Sequence, residues 1–151
     1  LAESFWDLPA TPVVFPPGRL RNKRAEIVQG LDILLIDDEE ILHRTLTRYL
    51  EPSNRVLSAT SGVDALATLN AHTPDVILCD LMMPGMTGIE VYHEIQLLYP
   101  DLLERLLFVT GGSTTIEFEQ FVDEHRDRTL LKPFTMKALN RRLILMAESQ
   151  A

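Results

Sequence analysis

The sequence predicts an α/β fold organised around one parallel sheet, and three features carry that expectation. From Leu31 onward, short apolar runs alternate with longer segments whose apolar residues recur at helical spacing, the pattern of successive βαβ units. The runs at 75–79 and 105–109 are almost continuously apolar, as strands buried on both faces must be. Pro52, Pro74 and Pro100 each follow a segment of helical period, where a missing N–H and a fixed φ stop a helix.

Taken in order, the expected strands are 32–36 (DILLI), 55–59 (RVLSA), 75–79 (DVILC), 105–109 (RLLFV) and 129–131 (TLL). The expected helices lie near 39–51, 62–72, 88–99, 114–125 and 135–148; in the last, Met136, Leu139, Leu143 and Met146 recur at spacings of three and four. Ahead of them, Pro9, Pro12, Pro16 and Pro17 make residues 1–18 an extended linker. Residues 19–29 (RLRNKRAEIVQ) are expected to form a short polar helix leading into the domain. The expected division is thus a linker and lead-in over 1–30 and one globular domain over 31–151.

A chain of 151 residues that is 46% hydrophobic can build one real core. The net charge of −8 resides in the globular part, where residues 31–151 hold nineteen acidic and ten basic side chains. Such a surface argues against direct binding to nucleic acid, and Arg19, Arg21, Lys23 and Arg24 read as a solvated linker. Cys79 is the single cysteine, so no internal disulfide forms, which fits a reducing compartment and makes the cytoplasm the expected address. No apolar run approaches the ~20 residues of a membrane helix, so no membrane contact is expected of this segment. A start at Leu1 instead of Met is what a piece of a longer polypeptide would show.

In open α/β sheets, ligands gather at the carboxyl ends of the strands. Those ends are consistently polar here: Asp37 and Asp38 after the first strand, Asp80 after the third, Thr110 after the fourth, Lys132 and Pro133 after the fifth. A single such residue is more often a solvated loop side chain than a ligand; five matching ends are a different matter. Carboxylates crowded at one rim repel one another and call for a cation, for which Mg²⁺, with its preference for oxygen ligands, is the natural candidate.

The segments LDILLIDDEE, DVILCDLMMPGMTGIE, LLFVTGG and LLKPF resemble the signature segments of response-regulator receiver domains of two-component signalling, and the resemblance covers residues 31–151. It implies a flavodoxin-like (βα)5 three-layer sandwich with strand order 2-1-3-4-5. It also implies that Asp80 is the phosphoacceptor, and that Asp37, Asp38, Asp80 and the backbone carbonyl of Met82 hold Mg²⁺. Thr110 would move toward the phosphoryl group, Lys132 would contact it, Gly111 would leave room beside it, and Lys132–Pro133 would be a cis peptide. The implied donor is a phosphohistidine on a histidine kinase or histidine phosphotransfer domain, and the implied output is an altered face of fourth helix, fifth strand and fifth helix. Thr129 departs from the pattern, since many family members carry an aromatic residue three positions before the lysine. Met82 and Gly112 occupy positions that influence how fast water reaches the acyl phosphate.

Other residues read as structural. Cys79 should be a packed core thiol, because strand neighbours face opposite ways. His43, His72, His93 and His125 lack metal-ligand spacing and should be solvated or partly packed. Phe118 and Phe121 suit a partner surface or the core equally, and Gly88 would permit a tight turn after PGMT. A haloacid-dehalogenase-type enzyme would need an Asp at Met82, and a dinucleotide-binding domain would need a glycine fingerprint after the first strand. The remaining alternative is a receiver-like interaction module that takes no phosphate. ESFWDLPATP is similar to the closing strand of a histidine-kinase ATP lobe, and VTGG to receivers at the carboxyl end of hybrid kinases. Together with the absence of a following effector, these imply the terminal receiver of a hybrid sensor histidine kinase.

Overall fold

The computed structural model describes residues 12–14, 27–112 and 115–150, the first three by backbone alone. The strands are β1 (Pro12–Val14), β2 (Ile27–Gln29), β3 (Asp32–Ile36), β4 (Arg55–Ala59), β5 (Val76–Asp80), β6 (Leu106–Thr110) and β7 (Thr129–Leu131). The helices are α1 (Glu40–Leu50), α2 (Gly62–Ala71), α3 (Gly88–Leu98), α4 (Ile116–Glu124) and α5 (Met136–Ser149), with 3-10 turns at Pro100–Arg105 and Arg126–Arg128. Five strands form a parallel sheet in the order β4-β3-β5-β6-β7, which is 2-1-3-4-5 counted from β3. This is the flavodoxin-like arrangement.

Period-2 alternation divides the core into two layers. On β3, Leu34 and Ile36 join Ile77, Cys79 and Phe108 beneath α2, α3 and α4, while Ile33 and Leu35 join Leu78 and Leu107 beneath α1 and α5. Hydroxyl side chains set where most helices begin: Ser61, Thr87, Thr115 and Thr135 each accept an N–H from the first turn of α2, α3, α4 and α5. Thr87 and Glu90 complete a reciprocal capping box on α3. Helix α1 begins differently, for its N-cap residue Glu39 makes no side-chain cap bond.

The structure moves three expectations. Strands β5 and β6 run one residue further than their apolar runs, so Asp80 and Thr110 are the last strand residues and not the first loop residues. The loop glycine with positive φ is Gly85, at +74°, whereas Gly88 is already in α3. The third change concerns the lead-in. Most of the expected linker and of the expected helix lies outside the described residues, as does the expected start of α4 at 114, but Ile27–Gln29 is a strand, paired in parallel with Pro12–Val14.

Tertiary contacts override local helical preference at that point. Ile27 and Val28 are buried among Leu46, Leu50, Leu139 and Leu143. The Val28 N–H donates to Asn140 Oδ1 at 2.7 Å, and the Val28 carbonyl accepts from Asn54 Nδ2 at 2.8 Å. Asn140→Ala should therefore cost about 1–3 kcal/mol in urea unfolding, because it leaves a buried N–H without its acceptor. An unchanged unfolding midpoint would show that Val28 finds another partner. Among the described residues no helix is long and apolar enough to cross a membrane.

Candidate phosphorylation site

Parallel pairing brings the carboxyl ends of β3, β5, β6 and β7 side by side, and the polar residues at those ends converge. Backbone bonds fix the rim: Asp37 N–H donates to the Ala59 carbonyl at 3.1 Å, Leu81 N–H to Val109 at 3.1 Å, and Lys132 N–H to Thr110 at 2.8 Å. Asp37 is 1% exposed and Asp80 4%, while Asp38 stands in solvent. Carboxylate oxygens of these three residues all lie within 4.8 Å of one another.

Each buried carboxylate has one oxygen tied to the backbone and one turned to a cation. Asp37 Oδ1 accepts from Glu39 N–H at 2.7 Å, and Asp80 Oδ1 accepts from Met82 N–H at 3.0 Å. Lys132 Nζ stands 3.5 Å from Asp37 Oδ2, 3.5 Å from Asp80 Oδ2 and 3.3 Å from Glu39 Oε1. Burial, reinforced by the Asp37 charge against the pull of Met82 N–H and Lys132, pushes the Asp80 carboxyl up from 3.8 to about 6. Burial likewise raises Asp37. For Lys132 burial acts to lower the pKa, but Asp80, Asp37 and Glu39 outweigh it and the net shift is upward.

One ammonium therefore faces three carboxylates at salt-bridge distance, with Asp38 close by, and the pocket is short of positive charge. The donors are all hard oxygens, two buried and one exposed, which fits Mg²⁺ better than a thiophilic metal. Cys79 is buried on the other side of the strand, its thiol pushed up by burial, and takes no part. The Lys132–Pro133 peptide is cis.

Thr110 is buried at the end of β6, its hydroxyl accepting from Gly112 N–H at 3.4 Å. It borders a groove of about 250 Å³ that runs to Phe118, Val122 and Leu131. Thr129 is buried, and its hydroxyl donates to the His125 carbonyl at 2.8 Å, tying β7 to the carboxyl end of α4. Phe121 is core, and Phe118 packs partly against it. Gly111 is open, since an added Cβ would meet only Lys132 Cβ at 4.0 Å.

Two participants were not singled out from the sequence. Glu39 is the third carboxylate on Lys132, and nothing in the DDEE run distinguishes it from its acidic neighbours. His43, expected to be solvated or partly packed, is buried, and its Nε2 donates to the Asp37 carbonyl. Its place one turn into α1, on the face of Leu46 and Leu50, was the available signal. The other histidines fit the expectation: His72 pairs with Asp32 at 2.8 Å, His125 stacks on Phe121, and His93 is exposed.

Comparison with known proteins agrees with this geometry. The response regulator receiver domain family matches residues 33–144. Sensor histidine kinase RcsC of Salmonella typhi is 31% identical over 128 residues, 84% of this chain but 13% of the kinase. The alkaline phosphatase synthesis transcriptional regulatory protein PhoP of Bacillus subtilis is 32% identical over 112 residues, 74% of this chain and 46% of PhoP. The chain thus spans less than half the length of either relative. Among solved structures, a response regulator receiver domain protein from Clostridium thermocellum superposes with a TM-score of 0.65 at 26% identity, covering 78% of this chain and 94% of that one. The Francisella response regulator 1452 receiver domain gives a TM-score of 0.68 at 21% identity, covering 81% of this chain and 100% of that one, a likeness of fold. With the family matched across the sheet, from β3 into α5, and the acidic residues gathered at its carboxyl rim, the chain belongs to the response-regulator receiver domains of two-component signalling.

Proposed function

We propose that Asp80 accepts a phosphoryl group from the phosphohistidine of a histidine kinase or phosphotransfer domain, with Mg²⁺ held by Asp37, Asp38, Asp80 and the Met82 carbonyl. The observation that carries this reading is a buried carboxylate with two others within 4.8 Å and an ammonium at 3.5 Å. An oxygen of Asp80 bonds to phosphorus as the P–N bond of the donor breaks, and the imidazole nitrogen leaves with the electron pair and takes up a proton. Phosphoryl transfer needs mainly in-line placement and stabilisation of the equatorial oxygens. When bound, Mg²⁺ would supply charge neutralisation of those oxygens.

The remaining work falls to this chain's own groups. The Met82 N–H fixes one Asp80 oxygen, so the carboxylate presents a defined face. Lys132 is already beside Asp80 and turns from Asp37 and Glu39 toward the incoming charge. The Thr110 hydroxyl exchanges its long contact with Gly112 for a phosphoryl oxygen, and the α4–β7–α5 face repacks. Thr129 is committed to the His125 carbonyl, so that response runs through hydroxyl contacts and not through an aromatic at 129. Similarity to RcsC over 84% of the chain supports the receiver of a hybrid sensor kinase, cytoplasmic like its partners, and the full-length gene tests this.

Mg²⁺ with beryllium fluoride, or with acetyl phosphate, should bind or modify the wild type in a 1:1 ratio and leave Asp80→Asn unchanged. Equal behaviour of the two proteins would instead favour an interaction module that takes no phosphate.

A further inference from the structure

We infer that His43 is a positioning residue for the acidic pocket, an inference that rests on Asp37 serving as a metal ligand. Asp37 is held at every backbone and side-chain group except one oxygen. Its N–H goes to Ala59, its Oδ1 accepts from Glu39 N–H, and its carbonyl accepts from the His43 ring. Only Oδ2, 3.5 Å from Lys132, is left to face the pocket. The β3–α1 loop is thereby fixed from the helix side, at the one helix among α1 to α5 whose start lacks a side-chain cap bond.

The ring is a poor choice for packing alone. A carbonyl can only accept, so Nε2 carries the proton, and Nδ1 of the neutral ring is an acceptor. That atom is buried without a partner in a residue 7% exposed. A leucine among Leu46 and Leu50 would fill similar space with no orphaned atom. The ring is a stability cost that orients the Asp37 peptide, and with it the free oxygen. Partners that orient a metal ligand typically affect affinity by about 10–100-fold.

Three proteins test this: wild type, His43→Leu and His43→Gln, whose amide can restore a donor near the position of Nε2. Calorimetry with Mg²⁺ alone should show His43→Leu weakened about tenfold and His43→Gln close to wild type. Thermal unfolding of metal-free His43→Leu should stay close to the wild-type temperature, because the loss of the unpaired Nδ1 offsets the donor that the Asp37 carbonyl no longer has. Hydrogen exchange at the Glu39 amide, which reports the Asp37 carboxylate directly, should speed up about tenfold in metal-free His43→Leu and recover in His43→Gln. A His43→Leu protein that unfolds earlier yet binds Mg²⁺ normally and keeps the Glu39 amide protected makes His43 a packing residue and overturns the inference. So does equal weakening in both variants. If the wild type takes up no Mg²⁺, the proposed function fails, while the Glu39 amide and the unfolding temperature still decide the role of His43.

Discussion

Metal-free Asp80→Asn should be more stable than the wild type at pH 7, by at most about 3 kcal/mol, while losing phosphoryl acceptance altogether. The carboxyl is raised from 3.8 to about 6, so the folded protein holds this proton more tightly than the unfolded chain does. Stability from that proton is complete below about pH 4 and is lost as pH rises through 6. Above that point the wild type carries a buried charge that asparagine does not. The upper figure follows from about 1.4 kcal/mol for each tenfold change in proton affinity. Solvent at the mouth of the pocket screens it, leaving about 1–2 kcal/mol, or a few degrees in unfolding temperature.

Urea titrations in a chelator between pH 4 and 8 should show the advantage of Asp80→Asn shrinking as the pH falls from 6 to 4. Millimolar Mg²⁺ should close the gap at pH 7, because it stabilises only the protein that binds it. An Asp80→Asn protein less stable than wild type at pH 7, or an advantage that ignores pH, would contradict the assignment of the raised pKa to burial. Function would then oppose stability: the residue proposed to react is one the fold would sooner do without.

Gly88→Ala should disturb the site strongly while leaving its polar residues intact. A Cβ there would stand 2.4 Å from the Asp80 carbonyl oxygen and 2.6 Å from Leu81 Cα, both backbone atoms at the end of the central strand. Relief requires α3 and β5 to part, which costs about 3 kcal/mol. It also shifts Asp80 relative to Met82 N–H and Lys132, so Mg²⁺ affinity should fall at least about tenfold. Gly85→Ala is the control: its φ of +74° makes alanine strained, but nothing lies within 4 Å. It should lose about 1–3 kcal/mol and retain Mg²⁺ affinity. Equal Mg²⁺ affinity in both variants would mean that the close approach of α3 does not set the site.

The sheet and the acidic residues were legible because both are written locally. Apolar runs mark β3, β5 and β6, and Asp37, Asp38, Asp80, Thr110 and Lys132 each stand where a run stops. The lead-in strand and the partner of Glu39 escaped because they depend on contacts distant in sequence. The lead-in RLRNKRAEIVQ favours a helix by itself, and its last part becomes a strand through pairing with Pro12–Val14 and through Asn54 and Asn140, 26 and 112 residues from Val28. Glu39 and Lys132 are 93 residues apart, and nothing in DDEE announces the lysine. His43 resembles any helix residue until the Asp37 carbonyl is seen to turn toward it. The reason for Gly88 was likewise hidden, because close packing of α3 on β5 leaves no trace in turn chemistry.

The strand Ile27–Gln29 docks at the amino pole of the sheet, whereas the carboxylates open at the opposite one. Between those poles β3 runs for five residues, roughly 16 Å of extended chain. A phosphodonor entering over Asp80 would therefore approach from the pole away from that early strand and need not dislodge its buried Ile27 and Val28.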